Sequence, residues 1–188
     1  MALLGPSGAG KSTLLRTIAQ VFLPDAGRID VRGRVGSLLS IDAGLMDTLT
    51  GRENSSLLGV LAGLGRRESR AALDAMKERS RLGDAFERPV SSYSQGMRAR
   101  LGFAVADETD PEILLLDEVH EALDHEFRDV VEERARQIVD RGGIIVAAGH
   151  DHPLLERLCT RAFLIGGGRI ERDDEFAAVQ HEYLGAAG

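Results

Sequence analysis

The sequence predicts an α/β protein: a mainly parallel sheet flanked by helices, with a helical segment inserted in its middle. Three observations point there. Short apolar runs at 113–116, 144–148 and 162–165 alternate with segments of helical period. A glycine-rich stretch at 5–10 joins an apolar stub at 1–4 to another helical pattern. Between about 50 and 106 the pattern is mostly helical. Strands separated by helices need right-handed crossovers, which place the strands parallel.

In chain order, residues 1–4 are the stub of a strand. Leu14, Leu15 and Ile18 recur at helical spacing, so a helix is expected to begin near Lys11. Pro-Asp-Ala-Gly at 24–27 is a turn before an expected short strand at 28–31, and another is expected at 35–39. From Thr50 to about Arg88, helices are expected with Leu57, Leu58, Leu61 and Leu64 on one face and Leu73 and Met76 on the next. Residues 95–106 are a further helix, and 113–116 is a strand buried on both faces. Phe127, Val130, Val131, Ala135 and Ile138 line one side of an amphipathic helix. A strand at 144–148, a helix at 153–158 and a strand at 162–165 follow. Glycines at 166–168 turn the chain into Arg169 and Ile170, and Phe176, Val179 and Tyr183 mark a last helix. No internal repeat or linker interrupts the chain, so residues 1–188 are expected to form one domain.

Composition narrows the function. A chain of 188 residues with 43% hydrophobic and 28% charged residues has the make-up of a globular protein, not of a disordered or collagen-like one. Thirty acidic against 23 basic residues leave a net charge of -7, so nucleic acid is not an expected partner. The single Cys159 can form no intrachain disulfide or thiolate cluster and is expected in the core. No apolar run approaches the roughly 18 residues of a membrane span, and MALLGPSGAG has no signal-peptide pattern. A cytoplasmic location without direct membrane insertion is expected.

The chemistry concentrates in two motifs. Gly5, Pro6, Ser7, Gly8, Ala9, Gly10, Lys11 and Ser12, followed by Thr13, satisfy the phosphate-binding loop pattern. Glycines let several backbone N–H groups turn inward, and the following helix directs its positive end at the bound phosphates. Lys11 reaches the outer phosphates, and the Ser12 hydroxyl can ligate Mg2+. Asp117 and Glu118 end an apolar strand, at the edge where parallel sheets hold ligands. Asp117 is expected to hold Mg2+ through water and Glu118 to polarise an attacking water. His150 follows another strand, within reach of a transferring phosphate. Alone it reads as a loop histidine. His120, His125 and His181 have no metal-ligand spacing and are assigned to solvent.

Tyr93, Ser94, Gln95, Gly96 and Met97 read YSQGM, and with the motifs above the chain resembles the ATP-binding-cassette (ABC) ATPases over nearly its whole length. The resemblance implies the phosphate-loop NTPase fold of the ABC type, with a helical subdomain at about 50–106. It implies that ATP and Mg2+ bind and that 93–97, the signature, contacts the ATP of an opposite subunit in a head-to-tail homodimer. Asp124, in Ala-Leu-Asp at 122–124, is then the dimer-contacting loop, and His150 the switch histidine. GLMDTLTGREN at 44–54 and ERLCTRAFLIGGGRI at 156–170 are similar to ATPases that export bacterial polysaccharides: O-antigen, capsule and teichoic acid. That family pairs two such subunits with integral-membrane permease subunits, on the inner face of the plasma membrane. Alternatives kept open are a non-transport ABC ATPase of DNA repair or translation, a small-molecule or nucleotide kinase, and a nucleotide-binding subunit of weak turnover.

The chain departs from that pattern in three places. Ile41 and Asp42 stand where a glutamine is expected, with Asp42 a possible cation ligand. Gln95 stands where most cassettes carry glycine. The adenine-stacking aromatic and the family's first antiparallel strands belong well before the phosphate loop, yet only four residues precede Gly5, so an N-terminally truncated chain with weakened base recognition is expected.

Overall fold

A computed structural model describes residues 1–40, 44–118 and 122–186. Six strands, β1 (Ala2–Leu4), β2 (Val35–Leu38), β3 (Ile113–Asp117), β4 (Ile144–Ala148), β5 (Arg161–Gly166) and β6 (Arg169–Glu175), form one sheet in the order β2-β3-β4-β1-β5-β6. The first five are parallel, and β6 folds back antiparallel on β5. Gly167 and Gly168, at φ 53° and 73°, supply the two positive-φ residues a tight hairpin needs between Gly166 and its partner Arg169.

The central strands are apolar throughout because helices cover both faces, so alternate side chains enter two different cores. Ala2, Leu4, Leu114 and Leu116 join Phe103, Phe127 and Ile138 on one side. Leu3, Ile113 and Leu115 join Leu15 on the other. The covering helices are α1 (Lys11–Ile18), α5 (Gln95–Glu108), α6 (His125–Asp140), α7 (His152–Leu158) and α8 (Phe176–Ala186). Cys159 is buried in the first core, as expected. Among the described residues no helix is long and apolar enough to cross a membrane.

Between β2 and β3 the chain makes α2 (Gly51–Leu61), α3 (Arg66–Ala71) and α4 (Leu73–Ser80), which pack with the first half of α5 around Met76, Phe86, Val90, Tyr93 and Leu101. This cluster is separate from the two sheet cores. Two structural polar groups secure it. Thr50 and Glu53 form a reciprocal capping box at the start of α2. Asn54, fully buried, donates to the carbonyls of Met46, Leu49 and Thr50 and accepts from the Met46 N–H at 2.8 Å, pinning the incoming loop to the helix. At the far end of α5, the buried Asp107 pairs with Arg79 of α4 and Arg134 of α6, tying the helical part to the sheet layer.

Two expectations fail here. Residues 28–31 form no strand: all lack a described partner strand, and Arg28, Ile29 and Asp30 are exposed, so the segment has neither ladder nor buried face. The buried face of α2 is not its leucines but Gly51, Asn54, Ser55 and Gly59, while Leu57 and Leu61 are 36% and 70% exposed. Close approach explains this. A Cβ on Gly59 would sit 2.7 Å from Ser69 Oγ, whose hydroxyl donates to the Ser56 carbonyl, and one on Gly51 would sit 2.2 Å from the Tyr93 hydroxyl. Leu58 and Leu64 do pack against the helical core.

Candidate functional site

Because β3, β4 and β1 are neighbours and parallel, their carboxyl ends open on one edge of the sheet. Asp117 pairs with Ala148, and Ala148 with Leu3, so the segments at 5–12, 117–118 and 149–151 leave the sheet side by side. The sequence motifs therefore meet in space.

The loop from Gly5 to Gly10 is shaped by backbone that only glycine adopts easily. Gly5, Gly8 and Gly10 have φ of 148°, 79° and 103°. At Gly5 a Cβ would fall 2.2 Å from the Ile165 carbonyl oxygen, so the loop leaves β1 pressed against β5. At Gly8 and Gly10 the same Cβ would meet nothing within 4 Å, so those glycines border open space. Gly10 is the N-cap of α1 and offers no side-chain acceptor, leaving the first-turn N–H groups to an external anion. Pro6, Ser7 and Gly8 are exposed, Ala9 is buried beneath them and Thr13 faces outward. Lys11, only 6% exposed, donates from Nζ to the carbonyls of Gly5 at 2.7 Å and Pro6 at 3.1 Å, which holds its charge at the mouth of the loop.

Asp117 is buried at the end of β3, close to the Ser12 hydroxyl. Burial raises its pKa above the ordinary carboxylate value. The neighbouring Ser12 hydroxyl opposes that rise, the charge of Glu118 adds to it, and Arg16 and Lys11 counter it. Its Oδ1 has no hydrogen-bond partner among the described residues. A buried carboxylate oxygen left open beside a serine hydroxyl, under a glycine loop of this shape, is a donor set that would fit a divalent cation. Glu118, half-exposed, places Oε1 3.2 Å from Nε2 of His150, so the two expected catalytic groups are in direct contact.

Tyr93 to Met97 open α5. Ser94 is its N-cap, accepting from the Met97 N–H at 3.2 Å, and both Ser94 and Gln95 are exposed at the helix start. Tyr93 is buried and donates to the Ala85 carbonyl at 2.7 Å, so its role here is packing. Gly96 lets the helix approach the next loop, since a Cβ would stand 3.1 Å from the Ala122 carbonyl oxygen. Asp124 caps α6, accepting from the Phe127 N–H at 3.0 Å, and pairs with Arg100 of α5. His125 and His181 are exposed, as expected. Ile41, Asp42 and His120 lie outside the described residues.

Sequence reading passed over Arg100, whose guanidinium also lies 5.2 Å over the Phe127 ring, and Arg128, which bonds both the Leu123 carbonyl and Asp151. Nothing in their local pattern marks them. Asp151 had a signal: an aspartate before a Pro-containing apolar helix is a capping position, and it accepts from the Leu154 N–H at 3.1 Å.

A glycine loop closing over a buried strand-end aspartate defines a phosphate-loop nucleotide-binding fold. More narrowly, residues 1–121 match the family described as ABC transporter, and the chain belongs to that family. It is 36% identical over 183 residues to the O-antigen export system ATP-binding protein RfbB of Myxococcus xanthus, covering 97% of this chain and 42% of that protein. It is 38% identical over 170 residues to the O-antigen export system ATP-binding protein RfbB of Klebsiella pneumoniae, covering 90% of this chain and 69% of that one. The chain thus spans between about two fifths and two thirds of the length of these curated relatives. A solved dimer of the ATP-binding cassette MJ0796 in a post-hydrolysis state, bound to ADP and Pi, matches with a TM-score of 0.77 at 23% identity, over 93% of this chain and 84% of that one.

Proposed function

We propose that this chain is the ATP-binding and hydrolysing unit of an ABC exporter that moves a cell-surface polysaccharide or lipid-linked glycan. The observation that carries the chemistry is the juxtaposition of Asp117 Oδ1, buried and open, with Ser12 and the glycine loop, one residue from the Glu118–His150 contact. The names of the O-antigen export relatives support the choice of cargo.

In this reading the N–H groups of 8–13 and Lys11 hold the triphosphate, and Ser12 with Asp117 holds Mg2+, which neutralises charge on the phosphates when bound. Glu118 orients the attacking water and accepts its proton, and His150, in contact with Glu118, faces the transferring phosphate. Ser94 and the start of α5 contact the nucleotide of a second, head-to-tail copy, with Gln95 at the rim of that contact. Asp124 lies where the copies meet. Permease subunits are the membrane partners, and the chain works at the inner face of the membrane.

Glu118→Gln tests the hydrolytic part of this reading against a kinase. It should keep ATP binding, abolish phosphate release to water and accumulate a dimer visible by light scattering, whereas Lys11→Ala should lose binding. Parental hydrolysis by Glu118→Gln, or transfer of phosphate to an acceptor in place of water, would refute it.

A further inference from the structure

The geometry points to Arg128 as a positioning residue that joins the half-site this chain presents to a second copy to the half-site it keeps for itself. The inference rests on the dimeric ATPase reading above for its meaning, and on hydrogen bonds within this chain for its evidence.

The link starts at the exposed end of α5. Gly96 brings that helix against the Ala122 carbonyl, and four residues on, Arg100 grips Asp124 and lies over Phe127. Asp124 is itself fixed as the cap of α6, so the segment at 122–124 lies against the signature helix at Ala122 and is bonded to it at Asp124. Arg128 holds the middle: its Nε donates to the Leu123 carbonyl at 3.0 Å. The same guanidinium donates from Nη1 to Asp151 Oδ2 at 2.7 Å. The other oxygen of Asp151 caps α7 through the Leu154 N–H, and the preceding residue is His150, in contact with Glu118.

A guanidinium suits this task because it is planar and presents several donors at fixed separation, so one side chain can hold a backbone carbonyl and a carboxylate in a set relation. Arg128 and Asp151 keep only 27% and 23% of their side-chain surface in water, so solvent competes weakly for the pair. A movement of α5 that drags 122–124 must therefore shift Asp151, and with it the backbone carrying His150, or break this pair. If Arg128 only fastened α6 to α7, its loss would lower stability but transmit nothing, so coupling has to be measured directly.

The test uses the full chain without nucleotide, with the ring resonance of His150 assigned by its loss in His150→Gln. Arg100→Gln, which breaks the pair that ties Asp124 to α5, should move that resonance in the parental background and leave it unmoved in Arg128→Gln. Arg128→Lys guards against misfolding and against a simple charge effect. It keeps the charge but has no planar fork, and it should block the response as Arg128→Gln does. An equal response with and without Arg128, or no response in the parental chain, would overturn the inference. Turnover gives a second readout: Arg128→Lys should lower kcat about three- to tenfold, with KM for ATP within about twofold. A parental kcat in that variant would also overturn it. A parental chain that binds but never hydrolyses ATP would instead overturn the ATPase reading, and the resonance comparison still decides the coupling.

Discussion

Asp117→Asn is expected to stabilise the nucleotide-free protein while weakening its response to magnesium and ATP. In the parental chain a buried carboxylate leaves Oδ1 unpartnered, and a buried group without a partner costs about 1–3 kcal/mol. The amide leaves Nδ2 as unpartnered as Oδ1 was, but it is neutral, and removal of the buried charge is expected to give a net gain of about 1–2 kcal/mol. For a chain of this length that is a rise in Tm of roughly 2–8 °C. The sign with pH follows from the raised carboxyl. The folded state holds the Asp117 proton to higher pH than the unfolded chain, so the parent loses stability as pH climbs from the ordinary value of 3.8 through the raised one. The advantage of the asparagine variant is absent below that window, opens across it and is complete above it. Melting by circular dichroism with and without Mg2+ and ATP measures both effects. A ligand at a hundredfold its Kd adds about 2.7 kcal/mol to the parent, and the variant should gain less. A lower Tm for the variant at neutral pH without nucleotide, or an equal gain on adding Mg2+ and ATP, refutes the reasoning.

Three further outcomes are expected. Gly5→Ala places a methyl 2.2 Å from the Ile165 carbonyl oxygen at a φ of 148°, and should cost about 2–4 kcal/mol in urea unfolding as well as nucleotide affinity. Asn54→Ala removes the buried amide that pins the loop to α2 and should cost about 2–3 kcal/mol, with amide exchange rising first around Met46. The hydrogen bond from Arg52, helped by Lys77, holds Glu87 down to about 2, so its contribution is present above 4.5 and lost as pH falls toward 2. The difference in amide exchange between the parent and Glu87→Gln across α2 and α4 should shrink over that interval.

The parallel sheet, the positions of its central strands and the edge where the motifs gather were legible because they rest on local chemistry. The apolar run at 113–116 continues into Asp117, and a fully apolar strand ending in a carboxylate has few other places to go. The glycine loop announces itself by backbone need, as the φ values at Gly5, Gly8 and Gly10 bear out. What stayed hidden depends on partners distant in the chain. The leucines of α2 looked like its inward face, but the close seating of Ser69 on Gly59 decides otherwise, and spacing within one helix cannot reveal a neighbour's distance. Residues 28–31 have strand-like content without a pairing partner. Asp107, Arg100 and Arg128 sit in ordinary helical patterns, and their pairings span 20 or more residues except where Arg128 reaches back to Leu123.

The hairpin at the sheet's margin has one more consequence. β6 carries Arg169, Glu171, Arg172, Asp173, Asp174 and Glu175, and Arg161 reaches across from β5 to hold Asp173 with paired bonds of 2.6 Å. A rim so dense in fixed charge is a poor template for another chain's backbone, since an added strand would have to strip water from those ions. Filament-like growth by edge pairing is thereby discouraged on that side.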